Sequence, residues 1–233
     1  MSQKTANKPS SAIIIIFIIA VVAVVGVAAI FISQSGKPIA GNIDYSQIPQ
    51  QRLEDGGYVL GNPEAYITIV AFEDFMCPHC QDYTREVLHP FVQEMVTTGK
   101  AKYEYRMFPA VDPTFSPLTA KLAECADTLQ PGSFWLAHDT LFDIASSERF
   151  SSESARKFAT KMNISYASLL DCQESISTSA QIFTDQGLGE ELGVQGTPTI
   201  FVRFGDDIPR RATQTTQPTL AELKAIVNET PGS

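Results

Sequence analysis

Cys77-Pro78-His79-Cys80 sets two thiols three positions apart, a spacing at which one pair of sulfurs can cycle between dithiol and disulfide. The same spacing supplies half of many zinc sites, so two chemistries are open at the outset. A zinc centre needs four ligands, and the remaining cysteines, Cys125 and Cys172, stand singly rather than as a second pair of this type. A purely structural disulfide across so short a loop would remove little chain entropy. Redox exchange is therefore the leading reading. No metal site is expected, because no cluster of His, Asp and Glu has metal-ligand spacing.

The residues around the motif say how it is held. The apolar, β-branched run Ile67-Thr68-Ile69-Val70 reads as a strand closed by turn-favouring Glu73 and Asp74, and Gln81 to Val96 carries apolar positions at helical spacing. The motif then opens a helix. Cys77 would face backbone N–H groups without carbonyl partners and the positive end of the helix dipole, which favour thiolate over thiol. Cys77 is thus the expected nucleophile. Cys80 lies one turn further in, where burial raises its pKa and keeps it ready to attack a mixed disulfide at Cys77. Pro78 fits the first helical turn, where its missing N–H costs nothing. His79 either points a donor or a positive charge at Cys77 or is an exposed linker residue.

The 233 residues exceed what one small core needs, and the excess lies at the N-terminus. Residues 1–11 read as a cytoplasmic tail. Ala12 to Ile32 carries no charge and as a helix would span about 31 Å, matching a hydrocarbon core of roughly 30 Å. Lys4 and Lys8 precede it and the first acidic residue is Asp44, so the positive-inside rule exports the rest of the chain. A cleaved signal peptide would have a shorter apolar region and a small-x-small cleavage site; a retained single-pass anchor is the expectation. Residues 33–57 read as a polar tether. With 26 acidic against 17 basic residues and a formal charge of −9, nucleic acid is not an expected partner.

Beyond the tether, 58–230 reads as one α/β domain. Lys102 to Phe108 alternates as a strand and Pro109 to Pro117 is loop. Helices are expected near Leu118 to Thr128, Phe134 to Ser146, Ser152 to Met162, and from Tyr166 through Leu192. Thr199 to Phe204 is strand-like, and Leu220 to Val227 is a closing helix opened by Pro218 and Thr219. Strands at both ends with helices between them imply a helical insertion, at about 110–190. His89 and His138 are lone histidines in helix-like segments and receive no role, and Phe134 and Trp135 read as core.

The GNPEAYITIV lead-in (61–70), the CPHC motif, Phe134-Trp135 in the insertion, and Gly193-Val194-Gln195-Gly196-Thr197-Pro198-Thr199 before a strand together resemble a DsbA-like thiol-disulfide oxidoreductase of the thioredoxin fold. The resemblance covers roughly Tyr58 to Asn228. It implies a cis Thr197–Pro198 bond beside the active-site sulfurs, with the Thr197 backbone presented to an extended client. It also implies an oxidase: a client thiolate attacks Cys77, Cys80 leaves, and a second client thiol expels Cys77 as a stable thiolate. Relatives of the thioredoxin fold often carry a buried acid six residues before the first cysteine, and here that residue is Ala71. Glu73 and Asp74 are closer, where strand alternation is expected to place them differently, so water or Glu73 is left to exchange the proton.

Some bacterial relatives carry an extra cysteine pair in the insertion, and Cys125 with Cys172 reads as a second, structural disulfide in an oxidising compartment. In the entropy model its loop of about 48 residues is worth about 4 kcal/mol; a redox relay is the alternative. No cofactor is expected to be bound. Exported cysteine-containing proteins would be the clients, and a DsbB-type or vitamin K epoxide reductase-like membrane enzyme would reoxidise the pair through quinone. The opposite electron flow, as reductase or isomerase, is the runner-up, since Thr197 before the proline also occurs in such relatives. A non-catalytic chaperone built on the same fold is the third reading.

Overall fold

Ile67–Glu73 (β3) is buried along its whole length, as a β-branched strand must be when both faces of its sheet are covered. We describe residues 43–230 of a computed structural model; the tail and the span expected over 12–32 lie outside the described residues. Among those residues, no helix is long and apolar enough to cross a membrane. They build a six-stranded sheet in the order β1-β2-β4-β3-β5-β6, with β1 Gln50–Arg52, β2 Tyr58–Leu60, β4 Ala101–Met107, β5 Thr199–Phe204 and β6 Arg210–Arg211. β3 and β4 run parallel, Ile67 beside Ala101 through Glu73 beside Met107. The other pairs are antiparallel.

The parallel pair needs a crossover, and the helix that opens at the cysteine motif provides it. It begins as α1 (Pro78–Tyr83), widens into a π-helical stretch (Thr84–Leu88), tightens for one α turn, α2 (His89–Phe91), and widens again (Val92–Val96). Pro90 lies in that central turn, where it cannot donate the usual helical hydrogen bond. The helices of the insertion follow as α3 (Phe115–Leu129), α4 (Phe134–Ser147), α5 (Ser152–Lys161), α6 (Tyr166–Gln173) and α7 (Ile176–Glu191), and α8 (Leu220–Glu229) closes the chain. Capping boxes set two starts: Ser151 with Ser154 before α5, and Thr219 with Glu222 before α8.

The two faces of the sheet differ. Ile67, Ile69 and Ala71 of β3, with Tyr103 and Tyr105 of β4, enter the main core, where Phe91, Trp135, Phe142 and Leu223 also lie. Val70, Phe72 and Phe201 enter a smaller cluster with Val194, against which Phe108, Leu188 and Leu192 pack. Buried Arg106 also ties α7 to this second face. Its guanidinium donates to Glu104 (2.7 Å), Asp185 (3.1 Å) and Asp55 (2.8 Å), and Arg203 adds a further donor to Glu104.

Three expectations are corrected. Residues 43–57 are not a bare tether: Tyr45 and Ile48 are buried in the core, a turn at Tyr45–Gln47 is capped by Asp44, and β1 pairs with β2. A few apolar side chains in a polar stretch are enough to dock it. The helix expected from Leu118 starts at Phe115, because Asp112 accepts from the backbone N–H groups of Thr114 (2.8 Å) and Phe115 (2.7 Å) and Pro117 is tolerated in a first turn. The helix expected from Tyr166 through Leu192 is two. Ser175, extended at φ −68° and ψ 136°, is the N-cap of α7, a position that serine favours over a helix interior.

Candidate active site

β3 ends at Glu73 and delivers the chain to Asp74, a buried carboxylate that organises the turn into the motif. Its Oδ1 accepts from the Met76 N–H (2.9 Å). Its Oδ2 accepts from the N–H groups of Ala110 (2.9 Å) and Val111 (2.8 Å), so the loop after β4 is bound to the same turn. The Asp74 carbonyl accepts from the Cys77 N–H (3.0 Å). Cys77 then sits in extended conformation as the N-cap of α1, with Pro78 as the first helical residue. Both cysteines are free thiols and both are buried, Cys77 being 3 % exposed and Cys80 fully covered.

The two sulfurs are driven apart in acidity. As a thiol, Cys77 Sγ donates to the Thr197 carbonyl at 3.2 Å. As a thiolate it gathers the Cys80 thiol first, then the Thr197 side chain and the backbone N–H groups of Cys80 and His79; against the opposing effect of burial these bring its pKa from 9.0 down to about 6. Cys80 moves the other way, pushed up by burial, by its hydrogen bond to Cys77 and by the charge of Glu73. The outer sulfur is an anion near neutral pH and the inner one holds its proton.

Thr197 meets the motif at Cys77 Sγ, and its peptide bond to Pro198 is cis, as the resemblance implies. His79 is exposed. What it gives Cys77 is its backbone N–H, and its imidazole makes no hydrogen bond among the described residues. Cys125 and Cys172 form a disulfide with an S–S distance of 2.05 Å, which joins α3 to α6. They therefore cannot complete a four-thiolate zinc site with the motif, and among the described residues no group of His, Cys, Asp and Glu could hold a metal.

Glu73 corrects the alternation argument. Side chains of a strand repeat every two residues, so position 73 shares the face of position 71, and the acid that Ala71 lacks is supplied one repeat further on. Glu73 is 1 % exposed; Oε1 accepts from the Tyr103 hydroxyl at 2.7 Å, and Oε2 has no partner among the described residues. Burial, partly offset by the Tyr103 hydrogen bond, and the neighbouring Cys77 charge raise its pKa from 4.5 to about 8. Glu73 can thus hold or release a proton near neutral pH within the electrostatic reach of both sulfurs.

The histidines are a second correction. His89 Nε2 (3.1 Å) and His138 Nδ1 (2.9 Å) both meet Asp139 Oδ1, and the Tyr45 hydroxyl donates to Oδ2 (2.8 Å). Three segments converge on this buried carboxylate, whose pKa falls to about 2 because the two histidines outweigh burial. The His138 ring packs edge-on to Phe75 and Phe142, behind the motif.

A family model described as thioredoxin matches residues 54–228. The disulfide bond formation protein D of Bacillus subtilis is 27% identical over 157 residues, covering 63% of this chain and 68% of that protein. The Na(+)/H(+) antiporter NhaA 3 of Salinispora tropica is 27% identical over 150 residues, covering 64% of this chain and 22% of that protein. The chain thus spans about a fifth of the antiporter and about two thirds of the disulfide bond formation protein. Among solved structures, alpha-DsbA1 of Wolbachia pipientis shares the fold, with a TM-score of 0.63 at 20% identity over 73% of this chain and 88% of that one.

Proposed function

Because the chain belongs to the thioredoxin family, we propose that it is a thiol–disulfide oxidoreductase that donates the Cys77–Cys80 disulfide to exported proteins through a mixed disulfide at Cys77. The observation that carries the reading is the split acidity of the pair: an outer thiolate at about 6 over a protonated inner thiol. A client thiolate attacks Cys77 Sγ, the bond to Cys80 breaks, and Cys80 departs with the electron pair and takes a proton, for which Glu73 is the nearby source. A second client thiolate then attacks its partner sulfur in the mixed disulfide and releases Cys77, a good leaving group because its thiolate is stabilised. The Thr197 backbone is positioned to pair with an extended client whatever its side chains.

The direction follows from the same feature, since stabilising the reduced form makes its disulfide the stronger oxidant. Residues 12–32 would anchor the domain outside the cytoplasm, and a quinone-linked membrane partner of the DsbB or vitamin K epoxide reductase type would reoxidise the pair. The oxidised protein is expected to oxidise a reduced two-cysteine peptide and Cys77→Ser to be inactive, while Cys80→Ser, given the disulfide form of that peptide, accumulates a mixed disulfide at Cys77 because no inner thiol resolves it. Equal peptide oxidation by Cys77→Ser would refute the reading, and holding of unfolded clients with no exchange would favour the chaperone alternative.

A further inference from the structure

We propose that Tyr105 is a proton relay of this site, its hydroxyl passing the proton between Cys80 and Glu73; the proposal rests on the thiol–disulfide reading and deepens it. Two tyrosines of β4 enter the main core. Tyr103 gives its hydroxyl to Glu73 Oε1. The Tyr105 hydroxyl has no hydrogen-bond partner among the described residues although the side chain is fully buried. Glu73 Oε2 is orphaned in the same way. Folded proteins leave few buried polar atoms unpaired, and each such atom calls for an explanation.

Register sets the two orphans on one face of neighbouring strands. In the parallel β3–β4 pair Tyr105 lies beside Ala71 and Glu73 beside Met107; positions 71 and 73 share a face, and the small Ala71 leaves room for a neighbour. The Tyr105 hydroxyl feels Glu73 first and then Cys80, the two groups that must trade a proton. Tyr83 has an orphaned hydroxyl too, but the charges acting on it are those of Glu73 and Glu222, without Cys80. The other ionisable groups around Tyr105 are Tyr103 from its own strand, Asp74 from the turn, Asp185 from α7 and His138 from α4. Its ring is stacked on Phe75 at 5.5 Å and tilted against Phe134 at 5.4 Å, so solvent does not reach the hydroxyl from that side.

A phenol both donates and accepts, which a relay requires, and since the hydroxyl bonds directly to neither Glu73 nor Cys80, transfer runs through one water on each side. When the client thiolate breaks the Cys77–Cys80 bond, Tyr105 gives its proton to the departing Cys80 Sγ and takes one from Glu73 Oε2. The products are a Cys80 thiol, a Glu73 carboxylate and an unchanged Tyr105. The reverse exchange, in which Cys80 attacks Cys77 within the mixed disulfide and expels the client thiolate, runs the same transfers backwards, while net reoxidation of the dithiol passes two electrons to the quinone-linked partner proposed above.

Tyr105→Phe tests this cleanly, because it removes only an oxygen that has no partner in the fold. If Tyr105 is mere packing, its melting temperature, rate and pH profile stay at wild-type values. A relay predicts an unchanged melting temperature, mixed-disulfide formation slowed about tenfold or more with resolution by the second client thiol unchanged, and loss of the limb near pH 8 that Glu73 controls. Tyr105→Phe with Glu73→Gln should then be no slower than Glu73→Gln alone, and Tyr83→Phe should match wild type. A proton inventory of the unaltered protein in H2O–D2O mixtures tests it without a variant: a curved inventory supports two protons in flight, and a linear one overturns the relay. Wild-type protein that exchanges no disulfides would sink the thiol–disulfide reading itself, whereas active wild-type protein with an indifferent Tyr105→Phe would sink only the relay.

Discussion

At the scale of single residues, Cys77 and Glu73 pull stability in opposite directions as pH rises. Cys77 titrates near 6 in the fold against 9.0 ordinarily, so its contribution to the reduced protein is present above pH 9 and is lost as pH falls through 6. Thermal melts of the reduced protein against Cys77→Ser should diverge over that window, wild type gaining as pH rises. Glu73 titrates near 8 against 4.5 ordinarily; its contribution is present below 4.5 and is lost as pH climbs through 8. Glu73→Gln should match wild type in melting temperature near pH 4 and exceed it above pH 8, and equal melting at both pH values would contradict the burial argument. Alkylation of Cys77 should show a midpoint near pH 6 that His79→Ala leaves nearly in place, since the His79 group that acts is its backbone N–H. The cysteines, Thr197 and Pro198 were legible because their spacing and motif carry them. Glu73 was missed as the buried acid, although the period-two repeat that joins it to Ala71 carried the signal. The convergence of Tyr45, His89 and His138 on Asp139 was not, because partners 94 and 50 positions away leave no local pattern.

At the scale of elements, the Cys125–Cys172 disulfide ties α3 to α6 within the insertion. Cys125→Ser with Cys172→Ser should cost about 2–5 kcal/mol of unfolding free energy and leave the potential of the active-site pair unchanged; a shifted potential would favour the relay alternative. Gly189 marks how closely α7 approaches the sheet. A Cβ there would stand 2.7 Å from Phe108 and 3.2 Å from Phe72, and two rings packed edge to face at 6.2 Å have little room to yield. Gly189→Ala should therefore destabilise by about 1–3 kcal/mol, seen as a lower denaturant midpoint with an unchanged slope. The long elements were readable from periodicity and caps, as Thr219 illustrates. β1, β2 and the break at Ser175 were not: a three-residue strand shows no alternation, and a single serine differs little from its neighbours until packing selects its conformation.

At the scale of the whole molecule, a redox domain follows an apolar N-terminal segment. A tether of that kind would hold the domain at high effective concentration near a membrane reoxidase. The full chain should then sediment with membranes, and a chain lacking residues 1–32 should not, at equal exchange rates in solution. The central claim is that the protein gives disulfides away, and it is tested most directly by the reduction potential of the Cys77–Cys80 pair. The measurement would equilibrate the protein in glutathione buffers and read alkylation of each cysteine by mass spectrometry, which also separates Cys125 and Cys172 from the motif. The stabilised Cys77 thiolate predicts a value between about −180 and −120 mV, the range of disulfide isomerase and the strong oxidants. A value near about −270 mV, where thioredoxin lies, would mean that the disulfide is the favoured form and that electrons flow from this protein to its clients.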